Sequence, residues 1–531
     1  MVVGSGAAGL AAALAAAAGG AEVLVLERSA TVGGTTAMSG GVAWLPGHGR
    51  GRGTGAGDDA AAALRYLTAA VTGDADASLL RAFVDDAARV ALEIDRRTPL
   101  EWEVLDHWPD YRGELPGAST GGRSMWPRPL RLSAGVEALV QPAFDQPTAS
   151  AAPGTAADMP ATGAGPAAPP DNDGVVLRGH VRGRALVGGL LTAVLDAGVE
   201  VRTGARAGTL VLEDGGVTGV VVDGERLTGR VVLASGGFQH DAALRAAFLP
   251  GAPVVPMGPA GCAGDAVRMA QTAGAVMGNM DESWWMPAMS VPGETVDGTV
   301  HYRPLHAERA QPGAVMVDAS GRRFVDEAQN YGDVGRAMRT AADGQAGRTA
   351  ADGGAAPAVP WWLVFDAAYR RRYSVGPLRP GDPDPGWLRR GDDFAGLAAA
   401  TGLPPDALEA TVARFNEGAA RGADPDFGRG TFPYDCWIGD ARAPHPTLGP
   451  LDEAPFYALA VHLGSMGTKG GPRTDDCGRV LRAARRPVAG LYAAGNAAAS
   501  PFGTATVAGG ATLGPALVFG FRAGERAAGD R

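Results

Sequence analysis

Met1-Val2-Val3-Gly4-Ser5-Gly6-Ala7-Ala8-Gly9 runs into an Ala/Leu stretch and then, past Gly19-Gly20, into Glu22-Val23-Leu24-Val25-Leu26-Glu27. This order predicts a short strand, a G-x-G-x-x-G turn, a helix to about Ala18, a second strand and an acid. It is the fingerprint of a dinucleotide-binding βαβ unit. Gly4 permits the tight turn, Gly6 lets backbone approach a pyrophosphate, and Gly9 lets the helix pack on the strand. Ala7 and Ala8 open the helix, whose free N–H groups face phosphate. Glu27, eighteen residues past Gly9, is placed to accept hydrogen bonds from a ribose, with Arg28 beside it. Leu10 to Leu26 is apolar like a signal peptide or a membrane span. Gly19-Gly20 interrupts it, however, Glu22 lies inside it and no basic segment precedes it. A first strand of two or three residues is short for the motif and fits a clipped or misassigned start.

Directly after the acid, Gly33-Gly34-Thr35-Thr36-Ala37-Met38-Ser39-Gly40-Gly41 forms a second glycine loop. A plain turn has no need of so long a run of small residues. The loop resembles the G-G-x-T-x-x-S-G-G element of flavoproteins related to fumarate reductase and the 3-ketosteroid dehydrogenases. That resemblance implies FAD rather than NAD, with Gly34, Thr35, Thr36, Ser39, Gly40 and Gly41 around the pyrophosphate and the flavin edge. The His that links flavin covalently in such proteins would sit in this loop. None is present, so non-covalent FAD is expected.

Further along, Asp76 to Arg97 reads as an amphipathic helix ended by Pro99. Residues 147–172 are Pro, Ala, Gly and Thr with almost no large apolar side chain and read as a flexible surface insertion. A helix from Arg184 to Ala197 precedes short strands at 199–201, 209–213, 217–222 and 231–233. They end on Ala234-Ser235-Gly236-Gly237, a turn that returns the chain to the cofactor in this flavoprotein class. At the far end Gly490-Leu491-Tyr492-Ala493-Ala494-Gly495-Asn496 is another strand and glycine turn. Thr512-Leu513-Gly514 leads into a helix over Pro515 to Ala527, whose N-terminal N–H groups would face the flavin. The expected class is α/β, a Rossmann-type FAD-binding domain built from both chain ends, residues 1–284 and 461–531. An α+β substrate or cap domain, 285–460, is inserted between them.

Composition excludes several partners. The 531 residues carry 47 basic and 57 acidic side chains, a net charge of −10, which argues against nucleic acid or an anionic membrane. Lys469 is the single lysine. Three widely spaced cysteines, without C-x-x-C or zinc spacing, predict no metal site and suit a reducing cytoplasm. Ala and Gly are in excess, with 81 Gly, as GC-rich coding produces, and carry little functional weight on their own.

Nearly end to end, the chain resembles the 3-ketosteroid Δ1-dehydrogenases of the fumarate reductase/succinate dehydrogenase flavoprotein superfamily. The pieces include Trp284-Trp285 with Pro287, Glu308-Arg309, Gly321-Arg322-Arg323-Phe324-Val325-Asp326-Glu327, Tyr331, Gly467-Thr468-Lys469-Gly470-Gly471 and Gly490 to Asn496. The resemblance implies desaturation of a cyclic, steroid-like ketone beside its carbonyl: a base takes the α proton and the flavin takes the β hydride. Carried over, the base is Tyr331, its supporting tyrosine is Tyr111, and Gly510 gives the N–H for the ketone oxygen. A third tyrosine of the family falls at Thr506, whose hydroxyl still donates but reaches less far. Trp284 and Trp285 read as cavity wall, and Arg322 and Arg323 as partners of Asp326 and Glu327. The expected partners are an apolar ketone and an external electron acceptor.

Other readings are a fumarate reductase-like or enone reductase, drawing on Arg303, Arg309 and Arg323, and a ketosteroid Δ4-dehydrogenase of the 5α type. A tailoring desaturase for a non-steroid ketone natural product suits Thr506. A non-catalytic flavoprotein has only the absent third tyrosine in its favour.

Overall fold

The computed structural model describes residues 1–50, 59–141, 181–296, 298–352 and 361–529. The 147–172 insertion lies outside them. One six-stranded sheet runs in the order Arg479–Leu481, Pro487–Ala493, Val231–Leu233, Val2–Val3, Leu24–Leu26, Glu200–Arg202. All its pairings are parallel except that of the edge strand Arg479–Leu481. Strands 2–3 and 24–26 are buried and apolar, as strands covered on both faces must be. Both ends of the chain thus enter one sheet.

The helix Ala7–Ala18 packs along the last helix, Leu513–Gly529. The contact is backbone on backbone: a Cβ on Gly520 would fall 2.4 Å from the Ala8 carbonyl oxygen, and one on Gly524 2.2 Å from that of Ala12. The small residues that look like coding bias therefore set how closely the two helices approach. Helices Ala77–Arg97, capped by the Asp76 carboxylate, and Arg182–Asp196 lie close to the sequence reading.

A second sheet orders Thr299–Pro304, Ser283–Val296, Phe456–Thr468, Trp361–Phe365 and Ala314–Asp318, with Val254–Pro256 and Arg389–Gly391 also paired to the Phe456–Thr468 strand. Its long strands Ser283–Val296 and Phe456–Thr468 run through the expected domain limits at 284/285 and 460/461, so those limits fall inside strands of this sheet. Successive residues of a strand point to opposite faces. Trp284 accordingly reaches the cavity described below. Trp285 turns into the core, where its indole N–H donates to Glu282 at 3.1 Å, and is not wall as expected.

Candidate functional site

A cavity of about 440 Å³ lies between the two sheets. At one end its wall is the glycine turn. Gly4 has φ +104°, and a Cβ there would meet the Ala234 carbonyl oxygen at 2.5 Å, so only glycine fits. Gly6 caps the helix Ala7–Ala18 without any side-chain cap, and the Ala7 N–H donates to Thr36 Oγ1 at 3.0 Å. Ser5 Oγ accepts from the Gly33 N–H at 3.0 Å and donates to Glu27 at 2.6 Å, which locks the two glycine loops together. Glu27 also accepts from the Ser29 N–H at 2.8 Å. Its carboxylate keeps acceptor capacity beyond these bonds.

Of the residues expected to hold the cofactor, Gly4, Gly6, Ala7, Ala8, Glu27, Arg28, Gly34, Thr35, Thr36, Ser39, Gly40, Gly41, Ala234, Gly236, Gly495, Asn496, Thr512 and Leu513 line the cavity. Gly9 and Gly514 do not. A Cβ on Gly9 would lie 2.0 Å from the Gly4 carbonyl oxygen and one on Gly514 2.0 Å from that of Trp44, so both act by close packing behind the wall. The donor set fits a dinucleotide: an uncapped helix start, and on the wall the Ser235 hydroxyl, buried without a partner.

Side chains build the other end. Tyr331 is the first residue of the helix Tyr331–Asp352. The segment before it is clamped by charge. Buried Glu327 accepts from Arg323 at 2.7 Å and from Arg429 at 3.1 Å, and Arg323 also pairs with Asp424 at 2.9 Å. Arg309 donates to the carbonyls of Glu327 and Gln329, and Asn330 caps the Asp333 N–H at 3.1 Å. Arg323 is thus the partner expected for Glu327. Arg322 is not paired with Asp326: it is exposed, whereas Asp326 is buried beside Asp435.

Tyr111 and Tyr331, 220 positions apart in sequence, meet edge to face with ring centroids 5.7 Å apart. Both line the cavity and both are buried. Burial pushes the Tyr331 hydroxyl up to about 12, and a hydrogen bond from Tyr111 acts against that. Burial also raises Tyr111, with Tyr331 and Tyr434 adding to the effect. Gly510 lines the cavity with φ +92°. A Cβ there would lie 2.5 Å from the Trp44 amide nitrogen, and the Gly510 carbonyl accepts from the Trp44 and Gly514 amides.

Thr506 is not on the wall. It packs against Gly332, where a Cβ would sit 2.2 Å from its Oγ1, and Lys469 Nζ lies 3.4 Å from that oxygen. Lys469 also donates to the Thr504 and Ala505 carbonyls at 2.6 and 2.9 Å and lies 4.3 Å above the Trp284 ring. Burial brings its ammonium down to about 7, with Arg336 adding to the effect. Arg303 pairs with Glu294 at 2.7 Å, and none of Arg303, Arg309 and Arg323 lines the cavity.

Three neighbours of the tyrosine pair carry no motif in the sequence. His306 lies on the wall with its ring 5.3 Å from that of Tyr331, and burial, helped by Arg309, brings it down to about 3, so it is neutral. Tyr434 packs behind Tyr111 with centroids 4.5 Å apart. Trp108 lines the cavity, its indole N–H buried and without a partner. A buried tyrosine pair on the wall of this cavity is an arrangement that suits proton transfer beside a bound ligand.

A family model described as FAD binding domain matches residues 1–513. The chain is 40% identical over 543 residues to 4-oxocyclohexanecarboxylate 2-dehydrogenase of Sinomonas cyclohexanicum, covering 100% of this chain and 92% of that protein. It is 34% identical over 577 residues to 3-oxosteroid 1-dehydrogenase of Mycobacterium tuberculosis, covering 98% and 97%. The crystal structure of 3-ketosteroid delta1-dehydrogenase from Sterolibacterium denitrificans, in complex with 1,4-androstadiene-3,17-dione, superposes with a TM-score of 0.87 at 33% identity, covering 100% and 99%.

Proposed function

This chain belongs to the FAD binding domain family, and from that premise we propose that it desaturates a cyclic ketone beside its carbonyl, with Tyr331 as base. It is an FAD-dependent oxidoreductase acting on CH–CH groups. Bound FAD supplies the two-electron acceptor for the β hydride. The other groups belong to the chain. The Tyr331 oxygen takes the α proton as that C–H bond breaks, and the freed electron pair becomes the new double bond. Tyr111 holds the Tyr331 oxygen by hydrogen bond and favours its anionic form. The Gly510 N–H holds the ketone oxygen and the charge that develops on it. The Trp284 and Trp108 side chains exclude water.

The observation that carries this reading is the Tyr111–Tyr331 pair, brought together on the wall of the cavity that the glycine loops also line. The substrate class is a compact cyclic ketone rather than a steroid. Thr506, which packs on Gly332 and accepts from Lys469 at 3.4 Å, is not on the cavity wall and leaves Gly510 as the donor, and the 40%-identical relative is named for an oxocyclohexane carboxylate.

Anaerobic mixing tests both parts. The holoenzyme would be mixed separately with 4-oxocyclohexanecarboxylate and with androst-4-ene-3,17-dione, following flavin absorbance and product mass. Bleaching by the first, with a product lighter by two hydrogens, is expected. Bleaching by the steroid alone would overturn the compact-ring assignment. No bleaching by either ketone, in protein whose flavin dithionite still reduces, would overturn ketone desaturation of this class.

A further inference from the structure

Among the described residues, three side chains on the cavity wall hold a buried polar atom without a hydrogen-bond partner: Ser235, His306 and Trp108. Such atoms are costly unless a ligand or a water pairs with them. Two of the three already have a place. Ser235 lies at the dinucleotide end, where a Cβ on Gly4 would fall 2.7 Å from its Cα. His306 lies against Tyr331, with ring centroids 5.3 Å apart. The Trp108 indole N–H has no such place.

Two segments lying side by side fix the position of this indole. The Tyr111 N–H donates to the Val507 carbonyl at 3.0 Å, and the Tyr66 hydroxyl donates to the same oxygen at 2.6 Å. Trp108, on the same segment as Tyr111, meets Gly509. A Cβ on Gly509 would lie 2.7 Å from the indole ring and 2.9 Å from its nitrogen, so the missing side chain is what makes room for the ring. Trp437 packs on the indole with ring centroids 4.7 Å apart. The Gly509 carbonyl accepts from Ser124 Oγ at 2.7 Å, and the Gly510 carbonyl accepts from the Trp44 and Gly514 amides. The Gly510 N–H, by contrast, donates to no acceptor among the described residues. Two unpaired donors therefore stand together on one wall: the Gly510 amide, and an indole that touches the residue before it.

We infer that the Trp108 indole N–H is a second donor to the ketone oxygen, beside the Gly510 N–H, and that Trp108 is a catalytic residue of the desaturation. This role rests on the ketone-desaturating reading of the cavity. As the α C–H bond breaks, its proton goes to the Tyr331 oxygen. Its electron pair moves into the bond toward the carbonyl carbon, and the ketone oxygen takes up the charge. That charge returns to reform the C=O bond as the α carbon closes the new double bond and the β hydride leaves. An indole N–H donates and does not accept. It holds the oxygen's charge without giving up its proton, so the product leaves as the ketone. Donors fixed in place before charge develops stabilise it most. The other side chains nearby are worse placed for this. The Thr506 hydroxyl is off the wall beside Lys469, and the His306 ring is turned to Tyr331.

Infrared spectroscopy of bound ketone reads the donors without turnover. Holoenzyme carrying Tyr331→Phe would be loaded with 4-oxocyclohexanecarboxylate that is ¹³C-labelled at its ketone. A hydrogen bond to a carbonyl oxygen lowers its stretching frequency, so adding Trp108→Phe should move the band to higher wavenumber. With Tyr331 intact, Trp108→Phe should slow flavin reduction at saturating ketone about a hundred- to a thousand-fold, as the loss of one such donor does. Its flavin content should be unchanged. If Trp108→Phe does not retain flavin, the benzothiophene isostere of tryptophan at position 108 gives the same comparison, with sulfur in place of N–H and the bicyclic shape kept. An unmoved band, or a rate within a few-fold of the unaltered protein, overturns the role of Trp108. If Tyr331→Phe is still reduced by ketone, the base assignment has failed instead. If the ketone band in Tyr331→Phe stays where it is in water, the cavity does not hold this ketone and the substrate reading has failed.

Discussion

The two ends of the cavity are built from different materials. The dinucleotide end is backbone: glycine turns, a helix start and two loops tied by Ser5 and Thr36, nearly all from the first 41 residues and a few later turns. The tyrosine end is mainly side chains, drawn from positions 111, 306, 331 and 434 on separate segments, with the Gly510 backbone beside them. A backbone site needs residues that are small at fixed spacing, and spacing is what a sequence displays. A side-chain site needs only that distant segments meet, which depends on the tertiary fold.

The comparison predicts that damage at the tyrosine end is chemical and leaves the cofactor in place. Tyr331→Phe should lower ketone-driven flavin reduction a hundred- to ten-thousand-fold, on the order that a general base contributes. Its flavin content and melting temperature should match those of the unaltered protein. A rate within a few-fold would remove the proton-accepting role from Tyr331. A large loss of flavin would mean that the two ends are not independent.

Damage at the glycine end should do the opposite. A methyl group on Gly9 collides with the Gly4 carbonyl oxygen at 2.0 Å, and neither backbone can yield without opening the turn. Gly9→Ala should cost about 1–3 kcal/mol as overpacking does, seen as a lower melting temperature and a reduced flavin-to-protein ratio. Molecules that keep their flavin should still be reduced by ketone at close to the normal rate. Full flavin content at an unchanged melting temperature would show that the packing behind the turn is slack.

The same contrast explains what was legible beforehand. The order of strand, turn, helix, strand and acid placed the sheet. Parallel pairing of Val2–Val3 with Leu24–Leu26 follows from it, while the pairing with Val231–Leu233 was legible only through the Ala234–Gly237 turn and the resemblance. Tyr331 was legible only because it follows the Arg323–Glu327 segment, whose ion pairs hold it in place. Tyr434 had no such flag: Phe432-Pro433-Tyr434-Asp435 reads as a proline-started turn, and only the fold brings its ring behind Tyr111. Thr506 was misleading in another way. The resemblance sets it at the place of the family's third tyrosine, but its hydroxyl lies between Gly332 and Lys469, off the cavity wall. Gly520 and Gly524 were hidden in a composition where glycine is abundant everywhere.

Lys469 is the place where the two ends touch, and it gives the smallest expected effect. It ties the Thr504–Thr506 strip, which leads on to Gly510, and sits above Trp284, whose indole N–H donates to Asn496 at 3.1 Å on the cavity wall. Burial lowers its ammonium from 10.5 to about 7, so between those values the unfolded chain binds a proton that the folded chain does not. Folding stability should therefore rise with pH across that window and level off below about 7, where both states hold the proton. Because the chain has one lysine, ¹⁵N-lysine labelling gives a single side-chain signal to titrate. A midpoint near 7 is expected, together with a flatter dependence of melting temperature on pH in Lys469→Met. A midpoint above 10 would mean that the carbonyls of Thr504 and Ala505 and the Trp284 ring solvate the cation as well as water does. The strip between the two ends would then be held by a charge rather than by a neutral amine.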